Sequence, residues 1–60
     1  MQHAPHILVV EDEPSQREVM VYNLQAQGYR VTCADNGENA MLVIAEDAPD
    51  VMVLDWMMPH

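Results

Sequence analysis

Phenylalanine and lysine are absent from these sixty residues, cysteine occurs once, glycine twice, and positive charge is confined to Arg17 and Arg30. Each shortage closes off a class of protein. A single cysteine, Cys33, cannot form an intrachain disulfide, and no Cys/His cluster has the spacing of a structural zinc site. Two arginines against ten carboxylates leave a formal charge of −8, without a basic stripe that could neutralise nucleic-acid phosphates. Direct nucleic-acid binding by this segment is therefore not expected. No apolar run approaches the ~20 residues of a membrane span, and residues 1–6 lack the basic start and apolar stretch of a signal peptide. The expected compartment is the cytoplasm, with no membrane partner.

Half the residues are apolar, and neither a repeat nor a low-complexity run interrupts them, which is the composition of a globular chain. At this length folding removes only roughly 60% of the unfolded chain's surface from water, so the core is marginal. A metal at a carboxylate site, or a partner chain, would help to hold it.

Residues 6–10, His-Ile-Leu-Val-Val, form an apolar, β-branched run that stops at Glu11-Asp12-Glu13, as a strand covered on both faces of a parallel sheet would. Pro14 suits the first turn of a helix and Gly28 a left-handed terminus, so a helix is predicted over about residues 14–27. Its inner seam is Arg17, Met20 or Val21, and Leu24. Residues 29–34 alternate and favour strand, reading as a half-exposed edge strand. Asp35-Asn36-Gly37 supplies turn chemistry. Ala40-Met41 and Ile44-Ala45 recur at helical spacing, predicting a second helix over about residues 38–46 that Pro49 terminates. Residues 51–54, Val-Met-Val-Leu, make a third strand ending at Asp55.

The order β-α-β-α-β with short connections predicts an α/β fold with right-handed crossovers and a parallel sheet. The most apolar strand, the first, belongs in the middle, giving the spatial order 2-1-3. The third strand has the composition of one with neighbours on both sides, yet in a 2-1-3 sheet it lies on an edge. A truncated sheet, completed by another chain or by further sequence, is the expectation.

Ligands of open α/β sheets bind beyond the carboxyl ends of the strands, where successive connections leave in opposite directions. Here that point lies between strands one and three, so Glu11, Asp12 and Asp55 are expected to converge there. Their mutual repulsion calls for a small hard cation. Magnesium suits an open carboxylate pocket, and a metal-neutralised aspartate can serve as nucleophile toward a phosphoryl group.

Other residues draw plainer assignments. Glu13, beside Pro14, is expected to act as a helix N-terminal residue, while Glu18, Glu46, Asp47 and Asp50 form a solvated surface. His3 and His6 are expected to be spectators, Cys33 a small structural side chain, and Met20, Met41 and Met52 core residues. Trp56 is expected to wall the pocket.

Taken together, Ile7-Leu8-Val9-Val10-Glu11-Asp12-Glu13, the Gly28-Tyr29-Arg30-Val31 entry to strand two, and Asp50-Val51-Met52-Val53-Leu54-Asp55-Trp56-Met57-Met58-Pro59 resemble the first half of a two-component response-regulator receiver domain. The likeness runs over essentially the whole chain and is strongest to the receivers of winged-helix transcriptional regulators. It implies a truncated flavodoxin-like fold over residues 1–60, a phosphoacceptor at Asp55, and Mg2+ held by Glu11, Asp12, Asp55 and the backbone carbonyl of Met57. It further implies a sensor histidine kinase as phosphodonor, an output in transcription, and a signalling module that is not itself an enzyme. Met58 and Pro59 would shape the loop. Where many relatives have glycine this chain has His60, read as a tail residue. The family's hydroxyl residue after strand four, its lysine after strand five and its switch aromatic have no counterpart here, so the chain alone is expected to phosphorylate poorly.

Two other functions compete. An interaction fragment could dimerise through the edge of strand three, which is apolar and lacks a fourth strand beside it. A phosphohydrolase of the haloacid dehalogenase type would need a second aspartate two residues after Asp55, and Met57 stands there instead.

Overall fold

The structure is a computed structural model, and it describes residues 4–54. Along the chain run β1 (His6–Val10), α1 (Pro14–Ala26), β2 (Arg30–Ala34), α2 (Gly37–Glu46) and β3 (Val51–Leu54). The predicted α/β order is therefore present, with the helix limits within one residue of those expected.

Local chemistry sets the boundaries. Glu13 adopts an extended backbone and its carboxylate accepts the Gln16 N–H at 3.0 Å, while Pro14 occupies the first turn, where its missing donor costs nothing. At the other end Gly28 takes φ of +93°, its N–H donating to the Gln25 carbonyl and the Tyr29 N–H to that of Leu24. This paired closure ends α1 and turns the chain into β2. Asn36 opens α2 in the same manner as Glu13 opens α1, its side chain accepting the Asn39 N–H at 2.8 Å.

Both partners of β1 run parallel to it, in the predicted order β2-β1-β3. The step from β1 to β2 goes one way along the sheet and the step from β2 to β3 goes the other. Given the usual right-handed crossover, connections of opposite direction put α1 and α2 on opposite faces. Every residue of β1 is consequently buried. Leu8 and Val10 join Ala34 and Ala40 in a core against which Val43 and Ile44 pack, and Ile7 and Val9 alternate toward the α1 side. The predicted α1 seam of Arg17, Met20, Val21 and Leu24 is the half-buried stripe of that helix.

Both helices pack on β1 and β2, and neither packs on β3 among the described residues. Val51, Met52 and Leu54 remain exposed although their β1 partners Ile7, Leu8 and Val10 are buried. Among the described residues the apolar β3 is thus left largely exposed, with only Val53 half-buried, as an edge position predicts.

Several expectations need correction. Met41 and Met52 are exposed rather than core residues, because the inner stripe of α2 is Ala40, Val43 and Ile44, and because neither described helix packs on β3. Cys33 lies on the edge strand as expected, and it is exposed there. His6 is no spectator: it is 1% exposed, with Nε2 2.8 Å from Thr32 Oγ1. Its backbone exchanges two hydrogen bonds with Asp50, to the carboxylate and from the N–H, both at 2.7 Å. Asp47 and Asp50 lie on the surface as expected, yet both hold specific partners: Arg30 donates to Asp47 at 2.9 Å.

Candidate functional site

The carboxyl end of β1 carries Glu11 and Asp12, and the ladder to β3 closes with Val10 opposite Leu54. Two strand ends therefore stand side by side at the switch point of the sheet. Asp55 and Met57, the other residues expected at this site, lie outside the described residues, as do His3, Trp56, Met58, Pro59 and His60. Among the described residues, no group of three or more His, Cys, Asp or Glu gathers around a common point.

Glu11 and Asp12 are adjacent in sequence but differ sharply in setting. Glu11 is 3% exposed. Its N–H donates to the Ala34 carbonyl at 3.1 Å, extending the β1-β2 ladder by one bond, and its Oε2 accepts the Glu13 N–H at 3.0 Å. The side chain thereby folds the loop back on itself. Asp12 at the bend is exposed to solvent, where a carboxylate can meet a hydrated cation. Glu13 directs its carboxylate away from this point, into the α1 cap, and the Gln16 N–H and the Ser15 hydroxyl hold it below the usual carboxylate range.

Sequence reasoning missed one member of this loop. Arg17, one turn into α1, donates from Nη1 to the Glu11 backbone carbonyl at 2.8 Å. The signal was its place on the inner seam of an amphipathic helix, which is unusual for an arginine unless its head group has a partner. Two open clefts flank the edge of β2, sharing Arg17 and Cys33, and neither is lined by Glu11 or Asp12. Donor chemistry marks the acidic strand tip.

Hard oxygen donors at an open strand end fit a magnesium ion that keeps most of its water. Glu11 can serve through its hydrogen-bonded loop or through water, and Asp12 directly or through water. Such a pair alone holds a cation weakly, so a third donor is required for a functional site.

Comparison with known proteins bears on these residues. The family model for the response regulator receiver domain matches residues 7–60. The phosphate regulon transcriptional regulatory protein PhoB of Rhizobium meliloti (strain 1021) is 42% identical over 55 residues, covering 92% of this chain and 24% of that protein. The probable transcriptional regulator ycf27 of Pyropia yezoensis is 49% identical over 53 residues, covering 88% of this chain and 22% of its own length. The chain thus spans about a quarter of the length of the curated relatives it matches. A 2-1-3 parallel sheet with acidic residues at the tip of its central strand, matched by the family model over nearly all its residues, is decisive for membership: the chain belongs to the response regulator receiver domain family.

Proposed function

We propose that the chain is the phosphoacceptor segment of a two-component response regulator, in which Asp55 receives a phosphoryl group and so controls an output in transcription. The observation that carries this reading is the last rung of the β1-β3 ladder. Val10 and Leu54 are partners, so the residues bonded to them, Glu11 and Asp55, follow two adjacent strand ends. Magnesium, when bound, would screen the repulsion between Asp55 and an incoming phosphate. Glu11, Asp12, Asp55 and the Met57 carbonyl are the proposed ligands. A sensor histidine kinase is the proposed donor: an Asp55 carboxylate oxygen forms the new O–P bond as the P–N bond to the donor histidine breaks, and the imidazole leaves with the electron pair. The module works in the cytoplasm as a signalling element rather than an enzyme with a substrate of its own.

The chain contains no lysine, so it has no residue of that type to clamp a phosphoryl oxygen, and modification of these sixty residues alone should be slow. Incubation with a small acyl phosphate, followed by intact mass, tests the reading. A low-occupancy phosphoryl adduct that requires Mg2+ and disappears in Asp55→Asn supports it. An adduct that survives Asp55→Asn contradicts it, and rapid full occupancy contradicts the role given to the missing lysine.

A second reading is favoured by the exposure of Val51, Met52 and Leu54 on a strand that no described helix covers. That edge could pair with a second copy of the chain. Light scattering separates the two cases, since a monomer at high concentration counts against edge pairing.

A further inference from the structure

The acidic loop after β1 contains three consecutive carboxylates, Glu11, Asp12 and Glu13, and no glycine to shape its backbone. What fixes that backbone is a set of hydrogen bonds. The Glu11 N–H is tied to Ala34 of β2, the Glu11 carboxylate to the Glu13 N–H, and the Glu11 carbonyl to the guanidinium of Arg17. The first two fix the ends of the turn. The third connects its middle to the body of α1, and it uses one of the two arginines in the chain.

We infer that Arg17 is a positioning residue for the cation site: through the Glu11 carbonyl it sets the peptide from which Asp12 projects, and so the direction in which the Asp12 carboxylate faces. This inference rests on the proposed magnesium site. Arg17 is half-buried, and its Nη1 to carbonyl distance of 2.8 Å is that of a charge-assisted hydrogen bond. The planar fork of arginine holds its direction with little loss of side-chain freedom, which a lysine at this place could reproduce only in part. Groups that orient metal ligands without touching the metal govern affinity through geometry, and their loss weakens binding.

Charge and geometry pull in opposite directions here, which makes the role testable. If Arg17 acted only as a nearby cation it would repel Mg2+, and a neutral replacement would tighten binding. If it acts by holding the loop, the same replacement weakens binding.

The test is a Mg2+ titration of the chain followed by backbone amide shifts of Asp12 and Glu13, with a thermal melt of each variant alongside. Arg17→Met should weaken the Mg2+ Kd about tenfold, the lower end of what lost outer partners cost, and Arg17→Lys should restore part of that loss. A structural role alone would move the melting temperature and leave the Kd of the folded population unchanged. Unchanged or tighter binding in Arg17→Met overturns the inference. Should that variant fail to fold, Arg17→Lys decides, and wild-type affinity there overturns it equally. Asp12→Asn and Asp55→Asn separate this inference from the reading beneath it. If they abolish binding while the Arg17 variants bind normally, only the positioning role falls; if they bind normally, the magnesium site itself falls.

Discussion

His6 Nε2 and Thr32 Oγ1 lie 2.8 Å apart across the central and edge strands, joining the start of β1 to the middle of β2. The pair sits on the α2 side of the sheet, with Asp47 Oδ1 3.9 Å from the other imidazole nitrogen and Arg30 closing on Asp47 from β2. It anchors the end of the sheet opposite the acidic tip.

Removing this imidazole should be costly in so small a core. His6→Ala is expected to lose about 2 kcal/mol or more, through the space vacated and the severed hydrogen bond. Thr32→Val, which keeps the shape, should lose about 1 kcal/mol. Urea denaturation checks both, and a His6→Ala midpoint equal to wild type would show that the imidazole contributes nothing.

Gly28 offers a cleaner backbone test. A methyl group there would meet no neighbour within 4 Å, so any penalty comes from φ of +93° alone. Gly28→Ala should cost about 1 kcal/mol. Gly28→Asn should cost less, because asparagine tolerates the left-handed region. Equal midpoints for Gly28 and Gly28→Ala would mean that α1 does not end as described.

Acid should weaken the fold in a predictable manner. The Asp47 carboxyl is held below its ordinary range chiefly by the hydrogen bond from Arg30, and that of Glu13 chiefly by the Gln16 N–H. A carboxyl with a lower pKa folded than unfolded contributes stability above the unfolded value, and that contribution is lost as pH falls through the folded value. Both groups are solvent-exposed, so the effect is small and screened by salt. Stability measured from neutral pH into the acid range should fall less steeply in Glu13→Gln and in Arg30→Gln than in wild type. Identical slopes in all three proteins would count against these two contacts.

The sequence disclosed most of what local rules control. Pro14 and Gly28 each mark a helix end whose geometry depends on one residue's own backbone, whereas Asn36 read only as part of a turn and proved to cap α2. The run His6–Val10, more apolar than the second strand, was legible as the middle strand. What stayed hidden depends on contacts between distant positions. His6 and Thr32 are 26 residues apart, and no periodicity announces such a pair. Met41 occupies a helical position next to the buried Ala40, and only the placement of α2 on the sheet selects Val43 and Ile44 as its companions. At the candidate site, Glu11 and Asp12 were legible as the end of a strand. The hydrogen bond from Arg17 to this loop was not, because its acceptor is a backbone carbonyl, which every sequence contains.

Glu11, Asp12 and Asp55 are proposed to surround one shared cation. Substoichiometric Mn2+, a paramagnetic stand-in for magnesium, broadens the amide resonances nearest the bound ion. Residues 11–13 and those around Asp55 should broaden together, in proportion, and recover when excess Mg2+ displaces the probe. Broadening confined to one strand end, or spread over surface carboxylates such as Glu46, Asp47 and Asp50, would contradict the shared site.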